Sequence, residues 1–123
     1  MAAKSGVGSL RSITVGAKVE HRVEVVEYQG LKFEVRSPSV GARSKILESA
    51  RKADDTGEAS FDFGLFRILA VVHLTHDPES GEKVFSVTDV PAMLESPTGG
   101  YVDVIGAVAE GLINVDPDET AKN

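Results

Sequence analysis

From Val19 to Arg36 apolar and polar residues alternate. Val19, Val23 and Val25 stand among Glu20, Arg22 and Glu24, and Leu31, Phe33 and Val35 alternate with Lys32, Glu34 and Arg36. Successive side chains of a strand point to opposite faces, so a period of two marks a strand with one face covered. Gln29-Gly30 separates the two runs by two residues, one of them a glycine that accepts positive φ, and the whole predicts a β-hairpin. The alternation breaks from Val25 to Val26 and Tyr28, which predicts a bulge or burial on both faces at that point.

After Ser37-Pro38 the period lengthens to that of a helix. Ser39 is placed as N-cap of a helix over about 40–53, with Val40, Ile46, Leu47 and Ala50 on one side and Lys45, Glu48 and Lys52 on the other. Asp54-Asp55-Thr56-Gly57 ends it. A second helix is predicted over 60–74, capped by Ser60 with Asp62 in its first turn. Phe61, Leu65, Ile68, Leu69 and Val72 form one stripe of it, and Phe63, Phe66, Ala70 and Leu74 form another roughly opposite. Only Asp62, Arg67 and His73 interrupt the apolar circumference, so this helix is either the buried centre of the domain or covers a partner as well as its own core. A chain this small favours the centre.

Residues 76–81 read as a turn, 83–86 as a short strand, and Thr88 as the cap of a short helix to about Leu94. In the last helix, clear from Tyr101 onward, Tyr101, Ile105, Val108 and Leu112 share a face opposite Asp103 and Glu110. Residues 1–17 lack a sustained period and read as a flexible N-terminal arm with a short extended piece over 10–15; residues 115–123 read as an acidic, flexible C-terminal tail. Residues 18–114 are then a single α+β domain, an N-terminal β-hairpin followed by about four helices.

Composition narrows the function classes. Of 123 residues 41% are hydrophobic and none is cysteine, which allows a core and excludes a disulfide framework, thiolate zinc and a cysteine nucleophile. The longest apolar run, Ile68 to Val72, is far too short for a membrane span, and no apolar stretch follows Lys4 and Arg11 as in a signal peptide; the expected location is the cytosol. Charge is uneven. Residues 1–52 hold ten basic and five acidic side chains, residues 53–123 three basic and fourteen acidic. The acidic part would repel phosphate, and the basic part interleaves its cations with Glu20, Glu24, Glu27 and Glu34, so no nucleic acid is expected as partner. The basic half reads first as the solvated face of strands; the alternative use of the split is head-to-tail self-association of the two halves, which would be sensitive to salt.

Little points to chemistry. His73, His76 and Asp77 form the one cluster with ligand-like spacing, and they would support a small metal-dependent hydrolase. Against this, the helix is expected to end near Leu74 and no glutamate stands between the histidines as a general base. His73 reads as a helix-end residue and His76 as part of the turn. Asp54-Asp55 flank a helix end, and Asp116-Pro117-Asp118-Glu119 lacks the glycine and terminal glutamate of a calcium loop. Gly6-Val7-Gly8 has neither the preceding strand nor the following helix of a dinucleotide fingerprint. No catalytic, cofactor-binding or metal-binding residue is assigned, and the chain is read as a non-enzyme.

The order of features carries more. A hairpin ends in Phe33-Glu-Val-Arg-Ser-Pro-Ser39 and leads into a helix; an apolar helix ends at Val71-Val-His-Leu74. Then come Asp77-Pro-Glu-Ser-Gly-Glu-Lys-Val-Phe85, a short helix at Thr88-Asp89 and a terminal helix ending Gly111-Leu-Ile-Asn114. From Val19 to Asn114 this succession resembles the tail assembly chaperones of long-tailed bacteriophages. The resemblance implies a protein that binds and solubilises the tape measure protein, promotes tail tube assembly in the host bacterial cytoplasm and is absent from the mature virion. It also implies, in many phages, a frameshifted longer form that recruits the tail tube protein. Coating an apolar helix needs a face that takes anchors at i, i+3, i+4 and i+7. Phe61, Phe63, Phe66 and Leu74 on one helix and Tyr101, Ile105 and Leu112 on the other are the expected partner-binding residues. A virion structural subunit, a tail or head–tail joining protein, is the alternative, though such subunits generally need more strands than the pattern provides.

Overall fold

A computed structural model describes residues 6–17, 20–53 and 56–114. The described elements run α1 (Val7–Gly16), β1 (Val23–Tyr28), β2 (Leu31–Arg36), α2 (Val40–Ser49), β3 (Arg51–Ala53), β4 (Ala59–Phe61), α3 (Phe63–Leu74) and β5 (Thr75–His76). A 3₁₀ turn (Val87–Asp89), α4 (Val90–Leu94) and α5 (Tyr101–Ile113) complete them. The fold is α+β, a hairpin followed by helices, with α1 ahead of the hairpin in the chain. The expected acidic tail, residues 115–123, lies outside the described residues.

β1 and β2 pair antiparallel without interruption from Val23↔Arg36 to Tyr28↔Leu31. Gln29 at φ 50 and Gly30 at φ 79 form the two-residue turn with both φ positive, whose twist suits a tight hairpin. The predicted bulge is absent, and so is burial on both faces. Val26, opposite Phe33, faces the core with Val35, whereas Val23 and Val25 point the other way and stay 46% and 61% exposed. Val26 and Tyr28 are simply the inward residues of β1, and the odd-numbered valines the outward ones. β5 joins the far side of β2 through Glu34↔His76 and Val35↔Thr75, giving the sheet order β1-β2-β5.

Four boundaries differ from expectation. The extended piece over 10–15 is part of α1, because Val7, Leu10 and Ile13 recur every third residue as a helical stripe. α2 keeps its Ser39 cap, whose Oγ accepts from the Ala42 N–H at 3.1 Å, but stops at Ser49 rather than 53. Arg51–Ala53 instead pairs with Ala59–Phe61 as a small hairpin, so the turn-forming run after Ala53 joins two strands instead of closing a helix. That moves the cap of α3 from Ser60 to Asp62, whose Oδ1 accepts from Leu65 N–H at 3.0 Å while Oδ2 meets Lys52 Nζ at 2.8 Å. In the fourth case Ser86, not Thr88, opens the short helical stretch: its side chain and Asp89 form a reciprocal capping box, with Ser86 N–H donating to Asp89 Oδ2 at 2.9 Å. The strand expected over 83–86 is reduced to one bridge, His76↔Lys83.

α3 is the centre of the molecule. Phe66, Ile68 to Val72 and Leu74 are all buried, against Val26 and Val35 of the sheet, Ile46 and Ala50 of the α2 region, Met93 of α4, and Val102, Ile105, Ala109, Leu112 and Ile113 of α5. Packing on several sides is what an all-round apolar helix requires. The one cation of α3, Arg67, lies against α5. Its Nη1 meets Asp103 Oδ1 at 3.0 Å and its Nη2 meets Glu110 Oε2 at 2.7 Å. Asp103 and Glu110, expected on the face away from the core, therefore point at α3. Between them, at the i+3 position, is Gly106, and the Arg67 side chain lies across it. A Cβ there would fall on Arg67 Cγ and within 2.8 Å of Cδ.

Gly106→Ala sets two effects against each other: about 1 kcal/mol gained in helix propensity and about 1–3 kcal/mol lost by overpacking against Arg67. The substitution is expected to lower the urea midpoint in the native background and to raise it in Arg67→Ala, where nothing lies over the glycine. The same sign in both backgrounds would show that Arg67 does not occupy the notch.

Candidate functional site

The seven expected partner-binding residues divide by burial. Phe66, Leu74, Ile105 and Leu112 are in the core, each at most 5% exposed. The second stripe of α3 and the inner face of α5 thus cover each other, and those four side chains serve the chain's own packing. Phe61 and Tyr101 are half-buried, and Phe63, first residue of α3, is 73% exposed. The Phe63 ring meets Phe61 edge-on at 4.9 Å between centroids, and Phe61 meets Phe66 at 5.5 Å. An aromatic path thereby runs from solvent to core. Tyr101 stacks on Phe85 at 5.9 Å, and Phe85 on Phe33 of β2 at 6.3 Å, a second path that ties α5 to the sheet. The sequence reading gave Phe85 no part in this.

Apolar surface also lies on α1. Val7, Leu10, Ile13 and Val15 are all exposed, and α1 has no buried residue. Val40, expected on the covered side of α2, is exposed as well. α2 rests on the core through Ile46 and Ala50 near its end, and its first turn projects past that contact.

A cleft of about 280 Å³ opens where the hairpin, the start of α2 and the end of α3 meet. It is lined by His21, Arg36, Ser39, His73, His76 and Lys83, with Ser37, Pro38, Ala42 and Leu74 between them. The strand register explains the convergence. Glu34, His76 and Lys83 are lateral neighbours on successive strands, so their side chains share the outer face of the sheet, and Arg36 lies two residues along from Glu34 on that face. Arg36 Nε donates to Glu34 Oε1 at 2.6 Å. His21 is held by its Nδ1 on the Ser37 carbonyl, and His76 by its Nδ1 on the Leu74 carbonyl at 2.9 Å.

His73 and His76 thus share a cleft, but Asp77 is not part of its lining: its Oδ1 accepts the Glu79 N–H at 2.8 Å in the turn. Among the described residues no three His, Cys, Asp or Glu side chains are grouped so as to hold a metal ion. No described helix is long and apolar enough to cross a membrane.

Burial holds the His73 imidazole below its ordinary pKa, helped by Lys83. Burial does the same at His76, where the Leu74 carbonyl and Glu34 act against it and the charges of Arg36 and Lys83 act with it. No protein-family model matches the chain, and no curated protein and no solved structure matches it.

The histidines make stability depend on pH in a defined direction. In the unfolded chain both titrate near 6.5, and in the folded chain lower. Below about 6.5 the unfolded state therefore binds more protons, and stability falls as pH drops from there through the depressed folded values. The urea midpoint is expected to decline between pH 7.5 and 5.5, above the range in which carboxylates protonate, and the decline is expected to be shallower in His76→Gln. A midpoint flat over that range would contradict the burial of the two rings.

Proposed function

We propose that the protein is a non-enzymatic tail assembly chaperone of a long-tailed bacteriophage, which binds and solubilises the tape measure protein and promotes tail tube assembly around it. The observation that carries this reading is Phe63: a large aromatic ring presented to solvent at the start of the central buried helix and braced by Phe61, which in turn meets Phe66. Aromatic anchors on a rigid support are what a surface needs to hold the apolar stripe of a long helix. The hairpin leading into the first capped helix and the terminal helix after the turn at Asp77–Gly81 are the features in which the chain resembles that family.

In this reading the tape measure helix lies along Phe63 and the exposed edges of Phe61 and Tyr101. Copies of the chaperone associate through the basic first part of one chain and the acidic second part of the next. A frameshifted longer form would bring in the tail tube protein. The work is done in the host cytoplasm, and the chaperone leaves before the virion is complete.

Phe63→Asp, at an exposed position, is expected to leave the unfolding midpoint close to the native value and to abolish co-purification of the tape measure protein from cells producing tails. Phe66→Asp, which puts a carboxylate into the core, is expected to unfold the chain. A folded Phe63→Asp protein that still retains the tape measure protein would overturn the assignment of this surface. Recovery of the native chain in finished tails would instead make it a virion subunit.

Self-association has its own readout. Oligomer mass is expected to fall between 0.1 M salt, where charges act over about 10 Å, and 1 M, where they act over about 3 Å. A mass that does not change with salt would rule out packing of basic against acidic halves.

A further inference from the structure

We propose that the cleft between the open end of the hairpin, the first turn of α2 and the end of α3 is a binding site for a tetrahedral dianion of the phosphate class. This goes beyond the chaperone reading and does not depend on it. The two fixed cations come from different strands, Arg36 from β2 and Lys83 from the segment bridged to β5. Lys83 has no ion pair among the described residues, and Arg36 spends only its Nε on Glu34, which leaves the rest of its fork of donors. Ser39 adds a hydroxyl at the cleft wall, and the first turn of α2 adds the positive end of a ten-residue helix. The cleft volume of about 280 Å³ admits a tetrahedral ion with its water.

The imidazoles fix how such an ion would be held. His21 and His76 each direct Nδ1 at a main-chain carbonyl, so in the neutral ring Nδ1 carries the hydrogen and Nε2 is left as an acceptor. A neutral ring in that tautomer offers an anion no donor. After taking a proton it offers Nε2–H and a positive charge together. The titratable groups lining the cleft are Arg36 and Lys83, positive, with His21, His73 and His76; Glu34, negative, stands beside His76 on the sheet and is tied to Arg36. The face is one charge positive with all three rings neutral, and each proton adds one. Binding of the dianion itself therefore takes up protons at the rings, and its affinity rises as pH falls, while protonation of the free ion to its monoanion works in the opposite direction. Burial is the main cause that lowers both rings; Lys83 adds to it at His73 and Arg36 and Lys83 at His76, and these are the charges the dianion would neutralise.

A monocarboxylate fits this arrangement less well, because one negative charge is already matched by the single net positive charge and recruits no proton. A metal ion fits it worse still: it would face two fixed cations, and no three His, Cys, Asp or Glu side chains among the described residues are grouped to hold it.

The test is an NMR titration of the histidine ring signals of the full chain with inorganic phosphate at pH 7.5, where the dianion is the main form, with ionic strength held constant by sodium chloride. Saturable shifts of His73 and His76 and a rise in their apparent pKa are expected, and sodium acetate at equal ionic strength is expected to produce neither. Lys83→Ala, at an exposed position, is expected to weaken phosphate about tenfold, the equivalent of roughly one charge-assisted hydrogen bond, with the unfolding midpoint reporting that the fold is kept. Arg36→Gln is expected to act in the same direction. Glycerol phosphate binding more tightly than inorganic phosphate would identify an esterified ligand, and weaker binding a free ion; either order keeps the proposal. It is overturned if phosphate shifts the rings no more than chloride does, if acetate does as much, or if folded Lys83→Ala binds phosphate as well as the native chain.

Discussion

The placement of one cation constrains much of this fold. α3 is buried along nearly its whole length, yet it carries Arg67, whose guanidinium cannot be left without partners in such a setting. α5 supplies both, Asp103 and Glu110, seven residues and about two turns apart. Between them Gly106 leaves room for the stem of the arginine. Charge and shape together allow α5 one rotation and one height against α3. With that fixed, Val102, Ile105, Ala109 and Leu112 close the core from the α5 side. The Arg67 side chain is still 31% exposed, so its ion pairs are partly screened and contribute less to stability than to the setting of the two helices.

The constraint passes outward from Asp103. Its second oxygen accepts the Gly99 N–H at 2.6 Å, and that bond, ahead of Arg67, holds the carboxyl below its ordinary pKa. The turn before α5, with Gly99 at φ 82, is thereby tied to the first turn of the helix. Tyr101, two residues on, is aimed at Phe85, and Phe85 at Phe33 of β2. Three rings thus connect the position of α5 to the sheet, across a segment that has almost no regular structure of its own between His76 and Val87.

What the sequence makes legible follows from the range of the interactions involved. The hairpin, the Ser39 cap and the central role of the α3 segment rest on residues a few positions apart, and each is visible as a local pattern. The end of α2 is not, because Arg51–Ala53 becomes a strand only when Ala59–Phe61 comes back to pair with it. Arg67 looks like an interruption of an apolar face until its carboxylates, 36 and 43 residues away, are known. The same holds for Asp103 and Glu110, which any reading by polarity alone turns to solvent. Of the residues expected to hold a partner, periodicity showed that the two helices are apolar but not which side each spends on the other. The cleft was half visible: His73 and His76 stood out by spacing, but His21, Arg36 and Lys83 join them only through the pairing of distant segments, and two of these neighbours, Arg36 and Lys83, are cations.

A buried central helix leaves its two ends as the places where it meets the outside. On α3 these are Phe63 at the start and His73 near the finish, about 15 Å apart at 1.5 Å per residue. The first lies in an apolar, aromatic setting and the second in a cationic one. Both positions are held by the same rigid element, so what one surface binds need not move the other, and a substitution at either end can be read separately from the core between them. The separation also argues against assigning both surfaces to one apolar helical partner. A stripe of leucines satisfies Phe63 and leaves Arg36 and Lys83 with nothing, whereas an anion satisfies the cations and has no use for an exposed phenylalanine.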